Sequence, residues 1–337
     1  MANRYDFGHV ITAMVTPFKK DENLSVDFDN LVNLANHLIQ NGTDTLLLTG
    51  STGEDAQLSL EEKWAILKTV RQNTPSGTRL MVSTGDTNTG RAIRKAQTAF
   101  ECGADGILVS VPEYIKPSQE SLLIHFGAIA KSIDGPMMIY NIPSRTGTEI
   151  LPETIMELAY RNSNIIGIKQ SCSNLDRLSE MKENHLSTWC PYFQIYSGDD
   201  SLTLPMLALG AKGVVSVASH LQGNLIQLMI HEFKSGHVEN ALKIHQGLFP
   251  LFRALFMETN PLPIKEALYQ KGMIATPSLR TLGEMIPHHK NKLNQLLKIF
   301  DRPKRESKTP TSDEDFLNQK THRLYLLQRA LGRSRKK

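Results

Sequence analysis

Cysteine is scarce in this chain of 337 residues: only Cys102, Cys172 and Cys190 occur, with no Cys-x-x-Cys pair. A disulfide framework needs paired cysteines and a zinc site needs His and Cys clustered at ligand spacing, so neither is expected, and a reducing, cytoplasmic setting fits best. Long apolar runs are missing as well. No stretch approaches a membrane span, and residues 1–9 carry Arg4, Asp6 and His9 where a secretory leader would be apolar. No membrane partner is therefore expected. A Gly-rich phosphate turn is also absent after the first apolar run, which leads instead into Val15-Thr-Pro-Phe18. That disfavours an open, doubly wound dinucleotide-binding sheet.

Most of the chain also lacks any excess of positive charge. Residues 302–337 hold eleven Lys/Arg against four Asp/Glu, so this tail carries +7 of a total of +4 and leaves −3 for residues 1–301. A basic tail on a mildly acidic body is not a nucleic-acid-binding domain, and no nucleic acid is expected as a partner.

What is present has an ordinary globular composition, 40% hydrophobic and 21% charged. Eight short apolar or β-branched runs recur at 9–14, 44–49, 80–84, 105–110, 136–140, 164–169, 193–197 and 213–217. Amphipathic stretches such as 26–40, 60–73, 89–102, 119–133 and 152–160 separate them. Continuous rather than alternating apolar runs mark strands covered on both faces, so the pattern predicts an α/β fold, a (β/α)₈ barrel over residues 1–223. Residues 224–300 are expected to form a helical C-terminal extension, and 301–337 a basic linker and tail. Within that tail Phe316, Leu317, Leu324, Leu327 and Leu331 recur at roughly helical spacing, consistent with a loosely docked helix or with a membrane-surface or partner-binding one.

Reactive groups in such barrels collect at the C-terminal strand ends. Run six ends in Ile166-Gly-Ile-Lys169, a lysine directly after a segment of barrel wall. Desolvation there favours the neutral amine, which attacks a ketone to form an imine; the alternative is a buried lysine paired with a carboxylate. Run five ends in Tyr140-Asn-Ile-Pro-Ser-Arg-Thr-Gly147. The Tyr140 hydroxyl can pass protons or simply pack, and Arg145 in the following loop presents a fork for a carboxylate or for a structural salt bridge. Run two ends in Thr49-Gly-Ser-Thr-Gly-Glu54, where Ser51, Thr52 and backbone N–H groups can converge on a small anion. Run four continues through Pro112-Glu-Tyr-Ile-Lys-Pro117, an ordered loop. An imine is its own electron sink, so no metal or organic cofactor is expected.

Taken together with Thr12-Ala-Met-Val-Thr-Pro-Phe18, Ser197-Gly-Asp-Asp200, Gly213-Val-Val-Ser-Val217 and Glu258-Thr-Asn-Pro-Leu-Pro-Ile-Lys265, these motifs resemble the dihydrodipicolinate synthase and N-acetylneuraminate lyase superfamily over about residues 8–300. The resemblance is closest to the branch that condenses pyruvate with L-aspartate-4-semialdehyde in diaminopimelate and lysine biosynthesis. It implies Lys169 as the imine-forming residue, Tyr140 as its proton carrier, and Ser51 and Tyr114 as the other hydroxyls of a relay, Tyr114 reaching in from a neighbouring subunit of a homotetramer. It further implies Thr52 and Val215 at the pyruvate and Arg145 at the semialdehyde carboxylate.

Some positions depart from that pattern. Ser51 replaces the usual threonine of the synthases, and the Gly50-Ser-Thr-Gly-Glu54 form is also typical of the neuraminate lyases, whereas Arg145 favours the synthases. Glu113 stands where many synthases have an aromatic at the tight dimer interface. Leu60, Lys63, Thr87 and Arg91 stand where lysine-inhibited relatives have His, His, Asn and Glu, so weak or absent feedback by lysine is expected. Two rivals follow: another pyruvate-dependent aldolase or lyase of the superfamily, and a non-catalytic barrel that binds a partner through its basic tail.

Overall fold

A computed structural model describes residues 5–183 and 190–300. The apolar tail positions Phe316 to Leu331 lie outside the described residues. Eight parallel strands close into a barrel in chain order: β1 (Val10–Ala13), β2 (Thr45–Leu48), β3 (Arg79–Ser83), β4 (Gly106–Ser110), β5 (Met137–Asn141), β6 (Ile165–Gln170), β7 (Gln194–Ser197) and β8 (Gly213–Ser216), with β8 paired back to β1. Each coincides with an expected run to within a residue or two at either end.

Local signals set the helix starts. Ser59 Oγ accepts from Glu62 N at 3.2 Å while Glu62 Oε2 accepts from Ser59 N at 2.9 Å, a reciprocal cap that opens the helix Leu60–Asn73. Asn88 and Ser118 cap the helices Thr89–Glu101 and Gln119–Lys131 one way only, each side-chain oxygen accepting from the backbone N–H three residues on, of Arg91 and Ser121. The first helix starts two residues later than expected, at Phe28, because Val26 bridges Phe18 and Asp27 is the cap.

Alternation along the strands sorts the side chains into two cores. Outward residues such as Leu46, Leu48, Ile139 and Val214 pack beneath the helices, whereas Ile11, Leu47, Met81, Leu108, Met138, Ile166, Tyr196 and Val215 fill the barrel interior. After β8, the helix Ser219–Lys234 packs on β1 and on the first helix, so it completes the last βα unit. The sequence-based division at 223/224 runs through this helix, next to its non-helical residue Gln222. The helices Val238–Ala254, Leu262–Gln270 and Pro287–Phe300 follow it. Among the described residues no helix is long and apolar enough to cross a membrane.

Candidate active site

The C-terminal strand ends surround a cavity of about 240 Å³ lined by Ser51, Thr52, Glu54, Tyr140, Arg145, Lys169 and Asn260, among others. Lys169 reaches it through an irregularity in β6. Between Met137 and Met138 the pairing steps from Ile165 to Gly167, so β6 carries one more residue than β5. Ile166 points inward, Ile168 packs outward, and Lys169 falls inward again, opposite Tyr140. Without the extra residue, strict alternation from Ile166 would put Lys169 among the helices. Gly167 makes the kink sterically feasible, since a Cβ there would lie 2.3 Å from the Gln194 carbonyl oxygen of β7.

The Lys169 side chain is enclosed, with 5% of the residue exposed, and its nitrogen lies 3.9 Å from the centroid of the Tyr140 ring. No carboxylate among the described residues pairs with it. On the other flank in register is Tyr196, which is a packing residue: its hydroxyl donates to the Gly8 carbonyl at 2.8 Å, and burial pushes its phenol well above the ordinary tyrosine range.

The loop after β2 begins with a left-handed Thr49 (φ +49°) and ends with a left-handed Glu54 (φ +61°). A Cβ on Gly53 would crowd the Met14 carbonyl and the Thr49 backbone at 3.0–3.1 Å, which explains glycine between Thr52 and Glu54. Two long-range ties hold this loop to the segment after the barrel. Asn260 Nδ2 donates to Thr52 Oγ1 at 2.8 Å, and Lys265 Nζ, fully buried, donates to Glu54 Oε1 at 2.7 Å. Burial pushes the Glu54 carboxyl up and the Lys265 ammonium down, each shift opposed by the partner's charge.

Arg145 is on a one-turn helix, Pro143–Thr146, ended by a left-handed Gly147, rather than in an irregular loop as expected. Its Nη2 donates to the Asn260 carbonyl at 3.2 Å, which leaves the other guanidinium donors for a ligand. Ser51, Thr52, Tyr140, Arg145 and Lys169 are thus brought to one cavity. Val215 and Tyr114 are not among its lining residues. Val215 packs deeper in the barrel interior, in register with Ile11. Tyr114 projects from the loop after β4, 92% exposed and left-handed (φ +68°), while its neighbours Pro112 and Glu113 do line the cavity.

The sequence reading missed Asn260 as a site residue. Asn260 stands inside the Glu258–Lys265 motif, directly before Pro261 in a stretch with two prolines, and that was the available clue. Among the described residues no group of three or more His, Cys, Asp or Glu is placed to hold a metal ion.

Residues 6–300 match the model of the dihydrodipicolinate synthetase family. The chain belongs to that family. The 4-hydroxy-tetrahydrodipicolinate synthase of Nostoc punctiforme is 48% identical over 268 residues, covering 79% of this chain and 89% of its own. The crystal structure of dihydrodipicolinate synthase from Aquifex aeolicus superposes with a TM-score of 0.83 at 40% identity, covering 89% of this chain and all of that one. The enzyme from Cyanidioschyzon merolae, solved with lysine bound, gives a TM-score of 0.82 at 40% identity, over 86% of this chain and 96% of its own. Of the positions where lysine-inhibited relatives differ, Lys63 and Arg91 are each paired with a nearby carboxylate of this chain. Lys63 forms an ion pair with Asp55, and Asp86 takes both Arg91, at 2.8 Å, and Lys95, at 2.7 Å. Against the cost of burial, the Arg91 and Lys95 hydrogen bonds hold the Asp86 carboxyl well below the ordinary carboxylate range.

Proposed function

We propose that this protein condenses pyruvate with L-aspartate-4-semialdehyde, giving 4-hydroxy-tetrahydrodipicolinate through an imine on Lys169. The observation that carries this reading is the enclosed Lys169 amine, stacked 3.9 Å over the Tyr140 ring in a cavity that also holds Thr52 and Arg145. Family membership and the names of the relatives agree with it.

Lys169 Nζ in its amine form attacks the pyruvate ketone carbon, and the carbinolamine loses water to give the imine. Thr52 and the backbone N–H groups of its loop hold the pyruvate carboxylate. Tyr140 shuttles protons, with Ser51 and Tyr114 completing a relay, and loss of a methyl proton turns the imine into an enamine. The enamine carbon attacks the aldehyde carbon while Arg145 holds the second substrate's carboxylate. The substrate's own amine then displaces Lys169 from the imine carbon, closing the ring. Val215, in the barrel interior and not in the cavity wall, supports the pyruvate site from below only through the packing around it.

Tyr114 can join this relay only across a subunit contact, because it lies outside its own chain's cavity and is almost wholly exposed, beside an exposed Ile115. That role requires a homo-oligomer of at least two chains, and the assembly proposed is a homotetramer, a dimer of dimers.

Borohydride reduction in the presence of pyruvate, followed by peptide mass spectrometry, tests the chemistry. An adduct on Lys169 is expected; its absence from folded protein would remove the central claim. Turnover of L-aspartate-4-semialdehyde but not N-acetylmannosamine tests the acceptor. Turnover of the sugar alone would assign the chain to the lyases.

A further inference from the structure

We infer that Asn260 is a positioning residue that presents the Thr52 hydroxyl to the pyruvate carboxylate and holds the Arg145 guanidinium for the second one. This rests on the roles of Thr52 and Arg145 set out above.

Asn260 belongs to the segment joining the helices Val238–Ala254 and Leu262–Gln270, far from Thr52 in sequence, and is 8% exposed. A hydroxyl group has one proton and two lone pairs. In this site the Asn260 amide N–H occupies a lone pair of Thr52 Oγ1, at 2.8 Å, so the Thr52 proton is left to be donated elsewhere. The cavity is where both side chains meet, and a carboxylate there needs a donor, not an acceptor. Without the amide, nothing fixes the hydroxyl rotor, and its proton is free to turn to another acceptor instead of the carboxylate.

The same residue acts a second time through its peptide. Its carbonyl accepts from Arg145 Nη2 at 3.2 Å, which fixes the plane of the guanidinium at the cavity rim. The groups for two carboxylates, carried by the β2 loop and by the one-turn helix after β5, are therefore registered to one another by a single residue of the post-barrel segment. A third observation points to a ligand: Asn260 Oδ1 is buried without a hydrogen-bond partner among the described residues, and the residue lines the cavity. That oxygen is an open acceptor for an N–H or O–H brought by substrate.

Asn260→Asp is the decisive variant because it is isosteric. An ionised carboxylate only accepts, so the Thr52 hydroxyl turns to donate to it and the cavity loses its donor while gaining negative charge. The KM for pyruvate is expected to rise by about tenfold or more, the scale of a lost hydrogen bond to a charged group. At saturating pyruvate, kcat changes far less and the imine still traps on Lys169. The double-mutant cycle separates positioning from packing. Thr52→Val raises the KM in the wild-type background but adds little on top of Asn260→Asp, whose hydroxyl already faces away. Fully additive effects, or an unchanged KM in Asn260→Asp, would overturn the proposal. Circular dichroism and melting temperature verify folding; if the aspartate variant is unstable, Asn260→Ser, neutral and too short to reach Thr52, replaces it, and an unchanged KM for pyruvate in that variant overturns the proposal. If wild-type protein forms no pyruvate adduct, the proposed function itself fails; if it does and the cycle is additive, only the role of Asn260 fails.

Discussion

Gly167→Ala places a methyl group where β6 bends past β7. The added Cβ would lie 2.3 Å from the Gln194 carbonyl oxygen and 3.2 Å from its carbon, both backbone atoms that cannot rotate away. Relief requires the strands to part by on the order of 1 Å, and overpacking of this kind costs about 1–3 kcal/mol. For a domain of this size that corresponds to a melting temperature lower by roughly 2–10 °C. The effect on chemistry is larger, because Gly167 closes the step in which Ile166 is the extra residue and which turns Lys169 inward two positions later. A displacement of about 1 Å at the nucleophile is worth on the order of 10²-fold in attack rate. Differential scanning fluorimetry reads the first effect, and single-turnover trapping of the pyruvate imine with borohydride reads the second. A variant that melts like wild type and traps pyruvate at the wild-type rate would refute the steric account of how Lys169 is aimed.

Four further outcomes are expected. Tyr140→Phe keeps the ring beside Lys169 but removes the hydroxyl, and should slow imine formation by about 10²–10⁴-fold in stopped-flow trapping; an unchanged rate would make Tyr140 a packing residue. Arg145→Lys gives up the planar fork, so the KM for L-aspartate-4-semialdehyde should rise about tenfold or more while pyruvate trapping is unaffected; a weakened pyruvate step would misplace the residue. Millimolar L-lysine should leave initial rates nearly unchanged, because Lys63 already pairs Asp55 and both Arg91 and Lys95 already pair Asp86; strong inhibition would refute this. His220 has both ring nitrogens committed, one at 2.8 Å from the Val217 carbonyl and the other accepting from Val15 N at 3.2 Å, and burial pushes its pKa down to about 4. With the unfolded value higher, near 6.5, its contribution is fully present above that pH and is lost as pH falls toward 4, by up to about 3 kcal/mol. Urea unfolding from pH 7 to 4 should therefore be less steeply pH-dependent in His220→Gln than in wild type, and parallel curves would exclude the histidine as the cause.

The sequence determined a good deal by itself. Strands buried on both faces must be largely continuous in apolar residues, so the runs at 44–49 and 164–169, which became Thr45–Leu48 and Ile165–Gln170, were visible without tertiary information. Local hydrogen bonds likewise made the start of the helix Leu60–Asn73 legible from Ser59 and Glu62. Lys169 stood out because a charge at the end of such a run is costly to place. Its direction was another matter. Counted by alternation from Ile166 it points out of the barrel, and only the unequal register of β5 and β6, set when the neighbouring strands pair, turns it inward. Tertiary structure also decided that Val215 packs deep, that Arg145 rides on a helical turn, and that Tyr114 leaves its own chain's cavity. Barrel closure and the return of the C-terminal segment brought Asn260 to Thr52 and Lys265 to Glu54. Periodicity reports which face a residue takes within its own element. Contacts between residues more than two hundred positions apart depend on how the elements meet, and no local pattern encodes that.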